Sequence, residues 1–285
     1  MNTEKKTAVI IGIGYLGLKL ANELLSLGYI VFGTTRNTEK KSLISENGFI
    51  PILWDRNASN KIDEINPELI ISTVAPNERG DEIISSISDY LKSYNGWLGY
   101  ISATSVYGGN KKVFDEYSKC SPNTIRGERR LKAENSWFDL GSEIFRVAGI
   151  YGPEKSFFQK LKDKQFQLVK KENHVFNRIH IDDLVGIILK CIGKPKKYRI
   201  VNVSDGNPCS QIDFFKYASK VSNFDLPEIV PLEDASLSDM AKSFWKSSKI
   251  VNSRIIFEDL KYKFKYPDYK SGLKNIWELD KKNII

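Results

Sequence analysis

The sequence predicts an α/β protein, a doubly wound parallel sheet with a smaller lobe interleaved toward the C-terminus. Three observations lead there. A short apolar run, Val9-Ile10-Ile11, breaks into Gly12-Ile13-Gly14-Tyr15-Leu16-Gly17. The first half then alternates apolar runs of strand length with segments of helical period. One run, Leu69 to Val74, is continuously apolar, the pattern of a parallel strand covered on both faces.

The elements follow in order. Ala8 to Ile11 is the first strand. The helix after it runs from Leu16 to Leu27, with Leu16, Leu20, Ala21, Leu24 and Leu27 on one face and Gly28 ending it. Tyr29 to Thr34 and Ile50 to Trp54 are the second and third strands, and Leu69 to Val74 is the fourth. A helix over Asp81 to Tyr94 leads to a fifth strand, Trp97 to Ser102. A helix over Gly127 to Trp137 leads to a sixth, Glu143 to Val147. The second half is less regular. Helices are expected over Ser156 to Asp163, over Asp182 to Ile192 with Asp182 as N-cap, and over Gln211 to Val221. A strand over Tyr198 to Val203 returns to the main sheet. Phe244, Trp245, Phe257, Tyr262, Phe264, Tyr266 and Tyr269 supply the small lobe with core. The expected division is a first domain of 1–150, rejoined by 178–205, and a small lobe of 151–177 and 206–285.

With 285 residues, 41% hydrophobic and 27% charged, the chain is long enough for this architecture and has a globular composition. Cys120, Cys191 and Cys209 are far apart and form no C-x-x-C, as expected for inert thiols in a reducing cytoplasm. No metal-ligand spacing occurs. No run reaches the length of a membrane span, and no signal peptide is expected ahead of the first strand. The net charge of +8 is spread among Glu and Asp rather than gathered into a patch. A solvated basic surface is the reading, with no nucleic-acid or membrane partner and a field that favours an anionic cofactor or substrate.

The G-x-G-x-x-G run carries the chemistry of a Rossmann-type dinucleotide site. Gly12 permits the tight turn out of the strand, Gly14 lets a pyrophosphate approach the backbone, and Gly17 lets the helix pack close on the sheet. The helix N-terminal amides attract the phosphates. A site for NAD ordinarily has Asp or Glu at the end of the second strand. Here the stretch reads Phe32-Gly33-Thr34-Thr35-Arg36-Asn37, without an acid, and Lys40 and Lys41 follow. Thr35 and Arg36 are expected to take a 2′-phosphate, making NADP the cofactor; the alternative for Arg36 is a solvated loop position. Asp55 is either an acceptor for the adenine amino group or an ordinary loop acid.

Four further stretches matter together. They are Ser102-Ala103-Thr104-Ser105-Val106-Tyr107-Gly108, Phe145-Arg146-Val147-Ala148-Gly149-Ile150-Tyr151-Gly152-Pro153, Asn177-Arg178-Ile179-His180-Ile181-Asp182-Asp183-Leu184, and Tyr198 to Pro208 with its Asn-Val-Ser-Asp-Gly core. In this order and spacing, and with Tyr266-Pro267-Asp268-Tyr269 before Gly272-Leu273, nearly the whole chain resembles the extended short-chain dehydrogenase/reductases, the NAD-dependent epimerase/dehydratase family. It looks closest to their atypical YeeZ-like branch. The resemblance implies that Gly12, Gly14, Tyr15, Leu16 and Gly17 cradle the pyrophosphate and that Val74, Ala75 and Pro76 lie along the cofactor. It implies that Val147, Ala148 and Gly149 approach the nicotinamide and that the small lobe covers a substrate. Arg178 and His180 would face that cleft or brace the lobe. His180 either does acid/base work or hydrogen-bonds a helix N-terminus. Relatives pair through two helices of each subunit, so a homodimer is implied as well.

The family's proton chemistry uses a Tyr, a Lys four residues later and a Ser or Thr after the fifth strand. This chain departs at all three. Alignment on Val106-Tyr107-Gly108 puts Ala103 at the Ser position, with Thr104 beside it. Alignment of the helix on Leu131-Lys132-Ala133-Glu134 puts Arg126 and Arg130 at the Tyr and Lys positions. Arginine keeps the i, i+4 geometry but does not shuttle protons near neutral pH. The remaining Y-x-x-x-K matches (Tyr15/Lys19, Tyr107/Lys111, Tyr151/Lys155 and Tyr266/Lys270) lack helical context in the right place. The expected function is an NADP(H)-dependent oxidoreductase or epimerase for a small polar or anionic substrate. Thr104, Tyr107 or water would handle the proton, and Arg126 and Arg130 would bind negative charge. The alternative is an NADP(H)-sensing binding protein that has lost turnover.

Overall fold

The computed structural model describes residues 6–55, 58–109, 112–154 and 157–284. In chain order the elements are β1 (Thr7–Ile11), α1 (Tyr15–Ser26), β2 (Ile30–Thr35), α2 (Lys40–Glu46), β3 (Ile50–Leu53), α3 (Ala58–Ile65), β4 (Leu69–Ser72), α4 (Glu82–Ser93) and β5 (Trp97–Ala103). A 3₁₀ turn (Thr104–Val106), β6 (Lys112–Phe114), α5 (Ile125–Asp139), β7 (Glu143–Val147), β8 (Gly149–Tyr151), α6 (Phe157–Lys162), β9 (Leu168–Lys170) and β10 (Arg178–His180) follow. The chain continues with α7 (Ile181–Ile192), β11 (Ile200–Val203), α8 (Gln211–Ser222), β12 (Ile229–Pro231), α9 (Asp239–Trp245), β13 (Lys249–Val251), α10 (Arg254–Glu258) and α11 (Tyr269–Ile284).

The central sheet is parallel and seven-stranded, in the order β11-β7-β5-β4-β1-β2-β3. The strand order reverses between β1 and β4, which pair directly from Ala8↔Leu69 to Ile11↔Ser72. Such a switch point opens a crevice at the carboxyl ends of the strands, where open α/β sheets bind ligands. Both strands are apolar and buried along almost their whole length because helices cover both faces of the sheet.

Contacts divide the chain into two units. The first comprises 1–106, 125–146 and 185–201, and the second 107–124, 147–184 and 202–285. The first unit's core joins Val9, Ile11 and Ile70 to Ile83, Ile87 and Leu91 of α4 and to Ala133 and Trp137 of α5. Asp81 caps α4 by accepting from the Ile83 and Ile84 amides, and its second oxygen accepts from Trp137 Nε1 at 2.9 Å. Glu143, buried on β7, accepts from Trp97 Nε1, from the Lys196 amide and from Arg199 Nε. The ends of β5 and β7 and the approach to β11 are therefore fastened by a single carboxylate. In the second unit, Phe158, Leu161, Phe214, Leu273, Ile276 and Trp277 form a core among α6, α8 and α11. Three parallel two-stranded ribbons, β10-β8, β12-β9 and β13-β6, complete that unit.

Several expectations need correction. Leu27 is the C-cap of α1 and is 60% exposed, so it does not join the buried face. Asp182 lies inside the first turn of α7 rather than at its cap, and its carboxylate meets Lys265 Nζ at 3.0 Å. Tyr198 has φ of 61°, which interrupts extended backbone, so the last strand of the sheet begins only at Ile200. Trp245 and Tyr266 are core residues, whereas Phe244 and Phe257 are exposed. The helices α2 and α3 were not legible as separate elements. Of the residues of α2 only Ile44 is buried, too little to raise a periodic signal.

Candidate functional site

The site begins at the turn out of β1. Gly12 has φ of +94°, and a Cβ there would lie 2.7 Å from Val74 Cγ2. Its amide donates to Thr34 Oγ1 at 2.9 Å, and its carbonyl accepts from Thr73 Oγ1 at 2.6 Å. The ends of β2 and β4 thus clamp the turn from both sides. A Cβ on Gly17 would lie 2.4 Å from the Gly12 carbonyl oxygen, so only glycine lets α1 come this close. Gly14 differs from both. It is the N-cap of α1 and no side chain caps that helix. A Cβ on Gly14 would meet nothing within 4 Å. The first amides of α1 therefore border open space of the kind an anion fills.

That space belongs to a cavity of about 250 Å³, lined at the carboxyl ends of four strands. Gly12, Ile13 and Gly14 follow β1, Thr34, Thr35 and Arg36 close β2, Trp54 follows β3, and Thr73 and Val74 follow β4. Lys40, Glu82 and Ile83 complete the lining. A flat aromatic, branched aliphatics, three hydroxyls and two cations suit an adenosine phosphate. The cradle at Gly14 supplies the anion end, so the residues present fit the dinucleotide that the sequence pattern implies.

Of the residues expected at the cofactor, Gly12, Gly14, Thr35, Arg36 and Val74 line this cavity. Tyr15, Leu16, Gly17, Asp55, Ala75 and Pro76 do not. Asp55 pairs with Lys61 Nζ at 3.2 Å, the arrangement of an ordinary loop acid. Val147, Ala148 and Gly149 lie in the second unit. There the Ala148 amide donates to Val203 O at 3.0 Å and the Gly149 amide to Asn177 O at 3.1 Å. Sequence reasoning missed Trp54, Thr73, Glu82 and Ile83 as lining residues. Trp54 carried a signal, an aromatic placed just past the carboxyl end of the third strand. Glu82 carried none, because it reaches Arg36 across 46 positions.

The residues expected to carry chemistry fall in both units, with Thr104, Arg126 and Arg130 in the first and Tyr107 in the second. Thr104 begins the 3₁₀ turn after β5 and is half-buried. Arg126 is exposed on the first turn of α5. Arg130, one turn further, is buried and donates from Nη1 to the Tyr100 hydroxyl at 3.1 Å and to Ile101 O at 2.9 Å. Its expected role in holding negative charge gives way to bracing α5 against β5. Glu134, a further turn along, receives Ser102 Oγ at 2.6 Å and pairs with Arg146 Nη2 at 2.6 Å, all of them buried.

In the second unit, Tyr107 is fully buried and stacked on Phe114 at 5.0 Å. Its hydroxyl bonds Asp115 O at 2.8 Å and Asn202 Oδ1 at 2.9 Å. A phenol engaged in this way is a structural group, so the expectation that Tyr107 handles a substrate proton is withdrawn. Arg178 Nη1 donates to the Phe176 and Cys209 carbonyls and to Cys209 Sγ, and its guanidinium lies 4.3 Å from the Phe214 ring centroid. These contacts brace the second unit. His180 has no exposed surface. Its Nδ1 accepts from the Asp182 amide at 3.2 Å, and its ring packs against Tyr151 and Tyr266. Of the two roles open to His180, this is the one at a helix N-terminus. Of the other Y-x-x-x-K matches, Lys111 and Lys155 lie outside the described residues. Among the described residues there is no group of three or more His, Cys, Asp or Glu that could hold a metal ion, and no helix is long and apolar enough to cross a membrane.

A parallel sheet of this strand order, with a glycine-lined cavity at its switch point, is a Rossmann-type fold. Its structural neighbours are NAD-dependent epimerase/dehydratase proteins. In sequence the chain is similar to Protein YeeZ of Escherichia coli K12, 22% identical over 281 residues that cover 92% of this chain and 97% of the relative. That likeness supports the YeeZ-like branch. No protein-family model matches the chain. A functionally unknown conserved protein from Silicibacter pomeroyi has the same fold with a TM-score of 0.88 and 29% identity, covering 96% of this chain and 98% of that one. UDP-glucuronic acid 4-epimerase from Bacillus cereus, solved in complex with NAD, matches with a TM-score of 0.76 and 15% identity, covering 97% and 99%.

Proposed function

We propose that the protein is an NADP(H)-dependent enzyme of oxidoreductase or epimerase type, acting in the cytoplasm on a small polar or anionic substrate. The observation that carries this reading is the cavity at the switch point, with Thr35, Arg36 and Lys40 at its rim and no acid at the end of β2. A ribose 2′-phosphate there gains two cations and a hydroxyl donor. Gly14 and the first amides of α1 hold the pyrophosphate. Trp54 and Ile83 offer apolar faces to the adenine. A nicotinamide, when bound, supplies hydride exchange with a carbinol or carbonyl carbon. With Ala103 at the usual hydroxyl position, Thr104 bonds the substrate oxygen and relays its proton with water, and the Arg126 guanidinium attracts an anionic substrate group. The substrate class is sugar-derived, in line with the UDP-glucuronic acid epimerase of similar fold. A homodimer is the proposed assembly, with no nucleic-acid or membrane partner.

The test is nucleotide binding followed by a reductase screen with aldehydes, ketones and sugar nucleotides. NADPH binding and turnover are expected, and absence of NADPH binding sinks the reading. Preference for NAD that is unchanged in Arg36→Ala refutes the 2′-phosphate site. A second reading, an NADP(H)-sensing protein without turnover, is favoured by one observation: Arg130, at the usual Lys position, is built into the sheet. Binding without turnover, together with no effect of Arg126→Ala on any ligand, selects it.

A further inference from the structure

Among the described residues, Glu82 is the single acid lining the cavity, and it faces one of the two cations there. Its Oε2 lies 3.3 Å from Arg36 Nη1. Three features hold it there. It stands in the first turn of α4, whose N-terminus Asp81 caps. Its other oxygen, Oε1, accepts from Asn77 Nδ2. Asn77 in turn closes a tight turn with Gly80, bonded amide to carbonyl in both directions at 2.9 and 3.2 Å, and its own Oδ1 accepts from the Arg79 amide at 2.7 Å. The carboxylate is thus aimed by a small turn.

This arrangement matters for only one part of a dinucleotide. A 2′-phosphate is a dianion that takes both nitrogens of an arginine fork. To bind it, Arg36 gives up Glu82, and the carboxylate then stands beside two further negative charges. NAD carries a hydroxyl at the same place. It neither needs the guanidinium nor meets the repulsion, and a carboxylate is a natural acceptor for a ribose hydroxyl. We propose that Glu82 sets the discrimination between NADP and NAD by competing with the 2′-phosphate for Arg36, and that Asn77 is the residue that positions it. The cavity then accepts NADP with a preference held below what Thr35, Arg36 and Lys40 alone would give. The inference rests on the reading of the cavity as the adenosine-ribose end of the cofactor site.

The experiment is fluorescence or calorimetric titration of the full chain with NADPH, NADH and 2′,5′-ADP, which isolates the adenosine end. The pair is solvent-accessible on both sides, with 72% and 40% of the two side chains exposed, so the effect is bounded. Glu82→Gln is expected to tighten NADPH and 2′,5′-ADP by about threefold to tenfold and to leave NADH within about twofold. Asn77→Ala is expected to move the same ratio in the same direction by a smaller factor. In an Arg36→Ala background the Glu82→Gln gain is expected to fall below about twofold, because the competition acts through the guanidinium. An unchanged NADPH-to-NADH ratio in Glu82→Gln overturns the inference while leaving the cofactor site standing. A full gain that persists without Arg36 overturns it as well. Failure of the wild-type chain to bind any of the three probes overturns the cofactor site and this inference together.

Discussion

Arg130 and Tyr100 are joined side chain to side chain, Nη1 to hydroxyl at 3.1 Å, and the same nitrogen also reaches the Ile101 carbonyl. Tyr100 in turn stacks on Trp137 at 5.4 Å. Burial drives the Tyr100 phenol well above its usual range, against the opposing pull of the Arg130 cation. The pair is therefore a neutral phenol under a permanent cation, fixed where α5 crosses β5. Arg130→Met removes the cation and both bonds from a buried place. It should lower unfolding free energy by about 2 kcal/mol, read as a lower urea midpoint. NADPH affinity should stay within about twofold, since the two sites share no partner. A tenfold loss of affinity at unchanged stability would instead make Arg130 a ligand.

The glycine turn separates folding from binding within six residues. Gly14→Ala places its methyl in open space, so the melting temperature should be unchanged. Nucleotide affinity should fall by about tenfold or more, because the methyl occupies the ground a phosphate needs. Gly17→Ala points its methyl at the Gly12 carbonyl, 2.4 Å away. It should destabilise the protein by about 1 to 3 kcal/mol through forced displacement of α1. If calorimetry shows the two variants equally stable, the close approach of α1 to the turn is wrong.

Where residues act through the backbone, the sequence was readable. The roles of Gly12 and Gly17 follow from chain geometry alone, and the apolar β4 announced a strand buried on both faces. Sequence pattern also located the returning strand β11 within two residues. What stayed hidden was side-chain partnership across long separations. Tyr107 sits in a motif that looked chemical, yet its hydroxyl is claimed by Asn202 on β11. Glu82 lies 46 residues from Arg36, in a helix whose own pattern shows only a capped N-terminus. Composition does not record which acid meets which base, so a missing carboxylate at the end of β2 said nothing of one supplied from α4.

Glu134 and Arg146 form a buried ion pair that Ser102 completes. Removing one member leaves the other charged in a poorly solvated place. Glu134→Ala should therefore cost about 3 to 5 kcal/mol, whereas Glu134→Leu combined with Arg146→Met should recover most of that loss. Urea denaturation of Glu134→Ala, of the single variants Glu134→Leu and Arg146→Met, and of their double variant checks this. Additive losses in the cycle would show that the two side chains do not depend on each other.

Asp205 supplies a pH dependence of unusual sign for a carboxylate. It is buried in the second unit, where Oδ1 accepts from the Asn207 amide and Oδ2 has no hydrogen-bond partner among the described residues. Burial pushes its pKa from 3.8 up to about 7. The Asn207 bond and the Arg178 cation pull it back, while Asp268 and Asp183 oppose them. The folded state thus keeps a proton that the unfolded chain releases near pH 3.8. Stability from this group is complete below that value and is lost as pH rises through about 7. Asp205→Asn keeps the shape and removes the titration. The difference in unfolding free energy, variant minus wild type, should grow by about 2 to 3 kcal/mol between roughly pH 5 and pH 8. Urea melts at four or five pH values across that window measure it. Parallel curves for the two proteins would mean that Asp205 ionises freely in the folded state and that its burial carries no such cost.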